Sequence, residues 1–154
     1  MQELKLKWQK LHPDAKAPVV AHPGEDLAYD LVAAEGALLI PGRVILVRTG
    51  IAIEFTPAHG AIIKDRSSMA VKGIRTSAGV IDAGYRGEIR VPLTLDVNAP
   101  ASSDGQAIEG YRINAGDKIA QMIPVKPLTM FQVEECEVLS EANRGGKGFG
   151  STGK

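Results

Sequence analysis

Residues 79–88 place a carboxylate and an aromatic ring around a stretch that the sequence predicts to be a tight turn. The first three residues are typical of a strand, the next three of a turn, and the remainder of a return into a second strand. Such a β-hairpin leaves backbone N–H and C=O groups free at its mouth, where they can pair with the edge of a base. Asp82 could hold a water molecule, and Tyr85 offers a flat face for a sugar. On spacing alone, a structural hairpin with an Asx-turn and a packing tyrosine is favoured.

Residues 65–70 contain a second group of side chains that could do chemistry, an arginine followed by two serines. The hydroxyls open a predicted short helix over residues 67–72, which Gly73 ends. Backbone amides at a helix start favour an anion, and the guanidinium of Arg66 adds charge and donors. The alternative is an N-cap beside a surface arginine.

Gln121 is a polar residue within a predicted apolar strand that follows the turn at residues 115–118. If this side chain is buried, its amide must find hydrogen-bond partners. A structural hydrogen bond and a contact to a ligand explain it equally well.

The tail over residues 143–154 is rich in glycine and carries Arg144, Phe149 and two adjacent hydroxyl residues. Glycine-rich ends are usually disordered. An arginine, an isolated aromatic ring and hydroxyls also make a plausible clamp that closes over a triphosphate and a base.

The elements that position these residues are predicted to be short strands. Apolar runs rich in valine and isoleucine, punctuated by glycine and proline, favour an all-β sandwich or barrel over βαβ units. The strand pattern is clearest over residues 88–95, where apolar and polar residues alternate. Because Pro92 cannot donate to a ladder, this strand is expected at an edge or bulged there. The runs are 38–40, 44–47, 51–53 and 61–63.

Length and charge narrow the class of protein. The 154 residues fit one domain, and a formal net charge of +0 does not favour a nucleic-acid polymer as partner. No apolar run approaches a membrane span and no signal peptide precedes the first strand, so a cytoplasmic location and no membrane partner are expected. Cys136, the only cysteine, lies in an alternating stretch and is expected to be buried and inert. The three histidines are expected in surface loops.

Taken together and in order, these stretches resemble the trimeric dUTPase family. Residues 28–31 are similar to the family's first motif, so that five motifs lie in order between residues 28 and 153. The resemblance implies a jelly-roll-like, distorted β-barrel of the β-clip type with one short helix. It also implies a homotrimer with active sites at subunit interfaces, a single β domain over residues 1–142 and a closing arm over 143–154.

By the same resemblance, the chain would hydrolyse dUTP to dUMP and pyrophosphate. Asp82 would deprotonate the attacking water, and Tyr85 would stack under the deoxyribose and exclude a 2′-hydroxyl. The other implied substrate-binding residues fall into three groups. The uracil group is Thr76, Gly79, Val80, Ile81 and Arg90; the phosphate group is Arg66, Ser67, Ser68 and Gln121; the tail group is Arg144, Phe149, Gly150, Ser151 and Thr152.

Mg²⁺ is the implied cofactor, with no direct protein ligand and Asp30 contributing through water. The sequence has no compact carboxylate cluster, which fits an ion that keeps its waters and binds substrate phosphates. In-line attack of water on the α-phosphorus is the expected mechanism.

The sequence departs from the family pattern at three places. Ser68 stands where a glycine is common; it keeps the amide donor, so phosphate binding is expected. Thr76 stands where some bacterial members have a base-contacting asparagine, so backbone contacts to uracil are expected there. The loop over residues 99–109 is longer than usual.

Two rival functions belong to different classes. A dCTP deaminase shares the fold but carries a catalytic glutamate after the hairpin, where this chain has Pro92. A dUTPase-like regulatory protein would bind nucleotide or a partner without turnover. The intact Asp82, Tyr85 and tail favour the enzyme.

Overall fold

The structure, a computed structural model, describes residues 4–99, 109–127 and 132–141. These residues form eleven strands and one short helix, which confirms the all-β prediction. The elements are β1 (Lys5–Lys10), β2 (Tyr29–Val32), β3 (Ala37–Leu39), β4 (Val44–Arg48), β5 (Ile51–Thr56), β6 (Gly60–Lys64), α1 (Ser67–Ala70), β7 (Ile74–Thr76), β8 (Val80–Ile81), β9 (Arg90–Leu95), β10 (Tyr111–Ile113) and β11 (Lys118–Val125).

The described strands pair antiparallel in four sheets. One sheet has the order β2-β11-β6-β8, a second has the order β4-β9-β7, and β1-β5 and β10-β3 form two-stranded sheets. Most neighbours in these sheets are far apart in sequence, as in β11-β6 and β1-β5. Within the described ranges no sheet closes into a barrel.

Strand β9 shows how the sequence builds the core. Its apolar side chains alternate with polar ones, and each buried side chain of this size contributes roughly 1.5–3 kcal/mol. The buried face is at most 1% exposed and consists of Ile89, Val91, Leu93 and Leu95. These residues join a core cluster with side chains from β2, β5, β6 and β11.

The prediction that Pro92 marks an edge strand or a bulge is wrong. Strand β9 lies in the middle of its sheet, and Pro92 pairs in register with Leu46 of β4. The Pro92 carbonyl accepts from the Ser77 N–H (2.8 Å), so the main-chain polar side of Pro92 faces β7. Because β7 ends at Thr76, the missing N–H falls just beyond the ladder, where no strand bond is lost.

Helix α1 is shorter than predicted, and a turn that Gly73 closes follows it. It covers Ser67–Ala70 and buries only Met69. Gly73 follows with φ +75°, a conformation that favours glycine, and its N–H donates to the Ala70 carbonyl (2.9 Å).

The expected burial of Cys136 is wrong. Residues 132–141 form no strand, and Cys136 is exposed. The alternation there has no core to face, since Val133 is 96% exposed. Among the described residues, no helix has both the length and the apolar character needed to span a bilayer.

Candidate active site

Asp82 lies at the end of β8, in a turn that joins two sheets. The Tyr85 N–H donates to the Asp82 carbonyl (3.0 Å), so the predicted turn is present. The predicted pairing is wrong, because β8 hydrogen-bonds to β6 and β9 hydrogen-bonds to β4 and β7. The turn therefore joins the edge strand of one sheet to the central strand of another.

Strand β8 is the edge strand of its sheet and leaves a donor and an acceptor open. The Ile63 N–H donates to the Gly79 carbonyl (2.7 Å), and β8 continues in register along β6. In an antiparallel ladder, consecutive residues turn their main-chain polar groups to opposite sides. Gly79 and Ile81 face β6, so Val80 turns its N–H and C=O to the open edge.

Around this edge lies a cleft of about 400 Å³, the Asp82 cleft. Asp82 and Arg90 are exposed, and the Asp82 side chain has no hydrogen bond or ion pair with any described residue. Tyr85 is 45% exposed, so one face of its ring is available. The lining residues are Leu46, Val80, Ile81, Asp82, Tyr85, Glu88 and Arg90.

Glu88 is a cleft residue that the sequence analysis did not single out. Its side chain is only 9% exposed and accepts from Arg48 Nε (3.0 Å), Arg90 Nε (3.0 Å) and the Gly50 N–H (3.0 Å). Burial alone raises the pKa of Glu88, but these hydrogen bonds and the Arg48 charge lower it more, so the pKa lies below its ordinary value. The carboxylate is therefore held ionised beneath the cleft.

The residues of the first, second and fourth motifs meet at another place, the Arg66 cleft, of about 420 Å³. Arg66 Nε donates to Asp30 Oδ1 (2.9 Å), and Arg66 Nη1 reaches Ser68 Oγ (3.3 Å) and the Lys118 carbonyl (3.2 Å). Lys118 Nζ pairs with Asp30 Oδ2 (2.7 Å). This network brings β2, the start of α1 and β11 together.

Cations outnumber carboxylates in the lining of the Arg66 cleft. Lys72 and Lys118, both absent from the sequence prediction, join Arg66, while Asp117 is the one acidic lining residue. Lys72 Nζ donates to Tyr111 Oη (2.8 Å). A cleft with this lining favours an anion.

Asp65 holds the start of α1 in place and accepts hydrogen bonds from two of the predicted substrate-binding residues, Gln121 and Thr76. Gln121 Nε2 donates to the Asp65 carbonyl (2.7 Å). Asp65 Oδ1 accepts from the N–H (2.6 Å) and the hydroxyl (2.8 Å) of Thr76. Both Thr76 donors are thus engaged within the chain, and Thr76 lines neither cleft.

Of the eleven predicted catalytic and substrate-binding residues that the structure describes, seven line one of two separate clefts, and Ser67, Thr76, Gly79 and Gln121 line neither. The Asp82 cleft and the Arg66 cleft share no lining residue. Ser67 is exposed at the start of α1. The tail residues Arg144 and 149–152 lie outside the described residues.

No group of three or more His, Cys, Asp or Glu side chains suited to a metal occurs among the described residues. Both Asp30 oxygens are taken by cations.

Known proteins resemble this chain in sequence and in fold. Residues 15–153 match the dUTPase family. The deoxyuridine 5'-triphosphate nucleotidohydrolase of Clostridium tetani is 40% identical, covering 100% of both chains, and that of Solibacter usitatus is 38% identical, covering 98% and 97%. The Staphylococcus bacteriophage 80alpha dUTPase solved with dUPNHPP is 29% identical with a TM-score of 0.75, covering 97% and 99%. These dUTPase structures confirm the jelly-roll-like fold, and the chain belongs to the dUTPase family.

Proposed function

We propose that Asp82 activates the water that attacks the α-phosphorus of dUTP. The chain is a dUTP diphosphatase, and the reaction converts dUTP and water to dUMP and pyrophosphate. In the proposed step the water oxygen bonds to the α-phosphorus, the bond to the bridging oxygen breaks, and pyrophosphate leaves in line. The water proton passes to the Asp82 carboxylate. An exposed carboxylate with no partner among the described residues supports this role.

The base would be recognised by the open edge of β8. Val80 presents an N–H and a C=O side by side, and uracil presents a complementary C=O and N3–H. Cytosine presents an amine in place of the C4 carbonyl and an unprotonated N3 in place of N3–H, so both contacts would be mismatched. An unpaired buried polar group costs about 1–3 kcal/mol, enough for substantial discrimination.

The sugar would lie against Tyr85. The exposed ring face at the cleft mouth supports stacking, and close contact would leave no room for a ribose 2′-hydroxyl. Arg90, held by Glu88 at 3.0 Å, borders the same cleft.

The phosphates would be bound by the Arg66 cleft of a second subunit in a homotrimer. The Asp82 cleft and the Arg66 cleft share no lining residue. A nucleoside triphosphate needs both a site for its base and a cationic site for its phosphates. Arg66, Ser67, Ser68 and Gln121 would face the phosphates. The tail would close over them, with Arg144 at the γ-phosphate and Phe149 over the uracil.

Mg²⁺ would be held by phosphate oxygens and water, with Asp30 acting through water. When bound, the ion neutralises phosphate charge. Asp30 itself orients Arg66 and Lys118, which is its role visible in the structure.

The observation that carries the proposal is the unpaired Asp82 carboxylate beside the open β8 edge in one cleft. The test measures pyrophosphate release from dUTP, dCTP, dTTP and UTP by the wild type and by Asp82→Asn. We expect dUTP to be preferred over the other three, and Asp82→Asn to lose about 10²–10⁴-fold in rate while still binding dUTP.

Asp26→Asn is the matched control, since Asp26 pairs with His22 outside both clefts. Equal rates on dUTP and dCTP, or an unimpaired Asp82→Asn, would contradict the proposal. A wild type that binds dUTP without hydrolysis would be a binding module, and ammonia release from dCTP would identify a deaminase.

A further inference from the structure

The Glu88 carboxylate is a fixed point beneath the Asp82 cleft. It joins the end of β4 through Arg48, the following turn through the Gly50 N–H, and the start of β9 through Arg90. With three donors on two oxygens, its geometry is set by groups from both sides of the cleft floor.

The main chain at Glu88 is fixed as firmly as its side chain. The Ile89 N–H donates to the Ile51 carbonyl (2.8 Å), and Thr49 donates to the Ile89 carbonyl from its N–H (3.3 Å) and hydroxyl. Ile89 is fully buried. The Glu88 carbonyl is thus a rigid acceptor.

The Tyr85 ring rests on this rigid segment. Tyr85 Oη donates to the Glu88 carbonyl (3.0 Å). A methyl group on Gly87 would lie 2.5 Å from Tyr85 Oη and 2.6 Å from Cζ, so the ring lies directly against a bare Cα. Since the ring is 45% exposed, these contacts on one side are what hold it at the cleft mouth.

We propose that Gly87 and Glu88, the Tyr85 support, position the tyrosine ring and thereby set the selection of dUTP over UTP. This rests on the proposed function of the ring as the surface that excludes a ribose. Glu88 is a positioning residue: it acts through Tyr85 and does not need to touch the nucleotide.

Glu88 joins β4, the turn after it and the start of β9. Removing one partner of a buried ion pair leaves the other charge unpaired, so Glu88→Gln should lower stability as well. The same carboxylate fixes the residue whose carbonyl anchors the ring. Sugar selection is therefore compared in variants that remain folded under the assay conditions.

The test compares kcat and KM for dUTP and UTP in Glu88→Gln, Tyr85→Phe and the double variant. We expect each single variant to lower the dUTP/UTP ratio of kcat/KM about tenfold, mainly through KM, with kcat for dUTP changed less. If Glu88 acts through the tyrosine hydroxyl, the double variant should show no further loss. Additive losses, or an unchanged ratio in folded Glu88→Gln, would overturn the proposal.

Two further variants keep the result decisive. Gly87→Ala pushes on the ring without disturbing the ion pairs and should lower the ratio similarly. If Glu88→Gln does not fold, an unchanged ratio in Gly87→Ala and Tyr85→Phe overturns the proposal. Asp26→Asn, which removes a carboxylate paired with His22 (3.2 Å) outside both clefts, should leave the ratio unchanged.

Tyr85→Ala distinguishes the proposal about the Tyr85 support from the proposed function of the Tyr85 ring itself. If the ratio is unchanged in Tyr85→Ala, the ring does not select the sugar and the proposed role of Tyr85 fails. If Tyr85→Ala lowers the ratio but the support variants do not, only the inference about Gly87 and Glu88 fails.

Discussion

Glu88 makes the stability of the protein depend on pH in a direction that the structure fixes. The folded state holds the pKa of Glu88 below its ordinary value near 4.5. When folding lowers a carboxyl pKa, the ionised group stabilises the folded state. This stabilisation is complete at pH values above the pKa of the unfolded chain, and it is lost as the pH falls through the pKa of the folded protein. We expect the wild type to melt above Glu88→Gln at neutral pH, and the gap to narrow as the pH falls below about 4.5.

Thermal unfolding of both proteins across this range measures the gap directly. Glu54→Gln, at a more exposed ion pair, should change the melting temperature little at any pH. A wild-type advantage that stays constant to the lowest pH would show that the ionised form of Glu88 is not the stabilising one.

The sequence could single out Asp82 and Tyr85 because their stretch is one of five ordered motifs that resemble a known family, although local spacing alone favours a structural hairpin. It could not single out Glu88 in the same way. Its partner Arg48 lies 40 residues earlier, and only the approach of β4 to the start of β9 makes the contact. Lys72 and Lys118 were missed for the same reason, since a lysine acquires a binding role only where the fold places it beside other cations.

Strand β8 depends on a close approach to β6 that only glycine allows. A Cβ at Gly79 would lie 2.6 Å from the Ile63 carbonyl oxygen and 2.9 Å from Ile63 Cβ. We expect Gly79→Ala to cost about 1–3 kcal/mol of stability and to raise KM for dUTP, because a displaced β8 misplaces the open edge at Val80. Denaturant unfolding and steady-state kinetics measure the two effects.

Gly84→Ala is the matched control in the neighbouring turn. A Cβ there meets nothing within 4 Å, so both stability and KM should remain close to wild type. Equal effects of the two alanines would mean that the β6–β8 contact does not govern the base site.

Most strands were predictable because each is a short apolar run whose ends are marked by glycine or proline. The partners of the strands were not. The sequence pattern over residues 79–95 is that of a hairpin, yet β8 pairs with β6 while β9 pairs with β4 and β7, so the two strands enter different sheets. Sheet pairing depends on contacts distant in sequence, and no local pattern records them.

The position of Pro92 also depends on strand pairing that the local sequence does not record. The rule that proline avoids central strands is correct for a residue facing a continuing ladder. Strand β7 ends at Thr76, one residue before the position that would pair with Pro92 and need its missing N–H. The length of the neighbouring strand β7 therefore decides whether a proline is tolerated at position 92 of the central strand.

The arrangement of the two clefts in one chain is the feature that local patterns reveal least. Five motifs in order indicate one active site, but the described residues divide the first four of them between the Asp82 cleft and the Arg66 cleft. A site shared between subunits resolves this division, because a closed ring of identical chains repeats each junction.

A shared site predicts that two inactive variants restore each other. In a trimer formed from Asp82→Asn and Arg66→Ala chains, a junction is intact where an Arg66→Ala chain supplies Asp82 and its neighbour supplies Arg66. Random assembly of equal amounts makes roughly a quarter of the junctions intact. We expect co-expressed variants to recover dUTP hydrolysis in about that proportion, measured by pyrophosphate release.

The decisive comparison uses two changes in the same cleft. Asp82→Asn co-expressed with Tyr85→Ala should recover nothing, because both residues of a site must come from one chain and no chain carries both intact. No recovery in the first pair when mixed trimers have formed would place the whole site within a single subunit, and recovery in the second pair would show that Asp82 and Tyr85 act from different chains. The contrast between the pairs therefore assigns each cleft to its subunit without requiring a bound nucleotide.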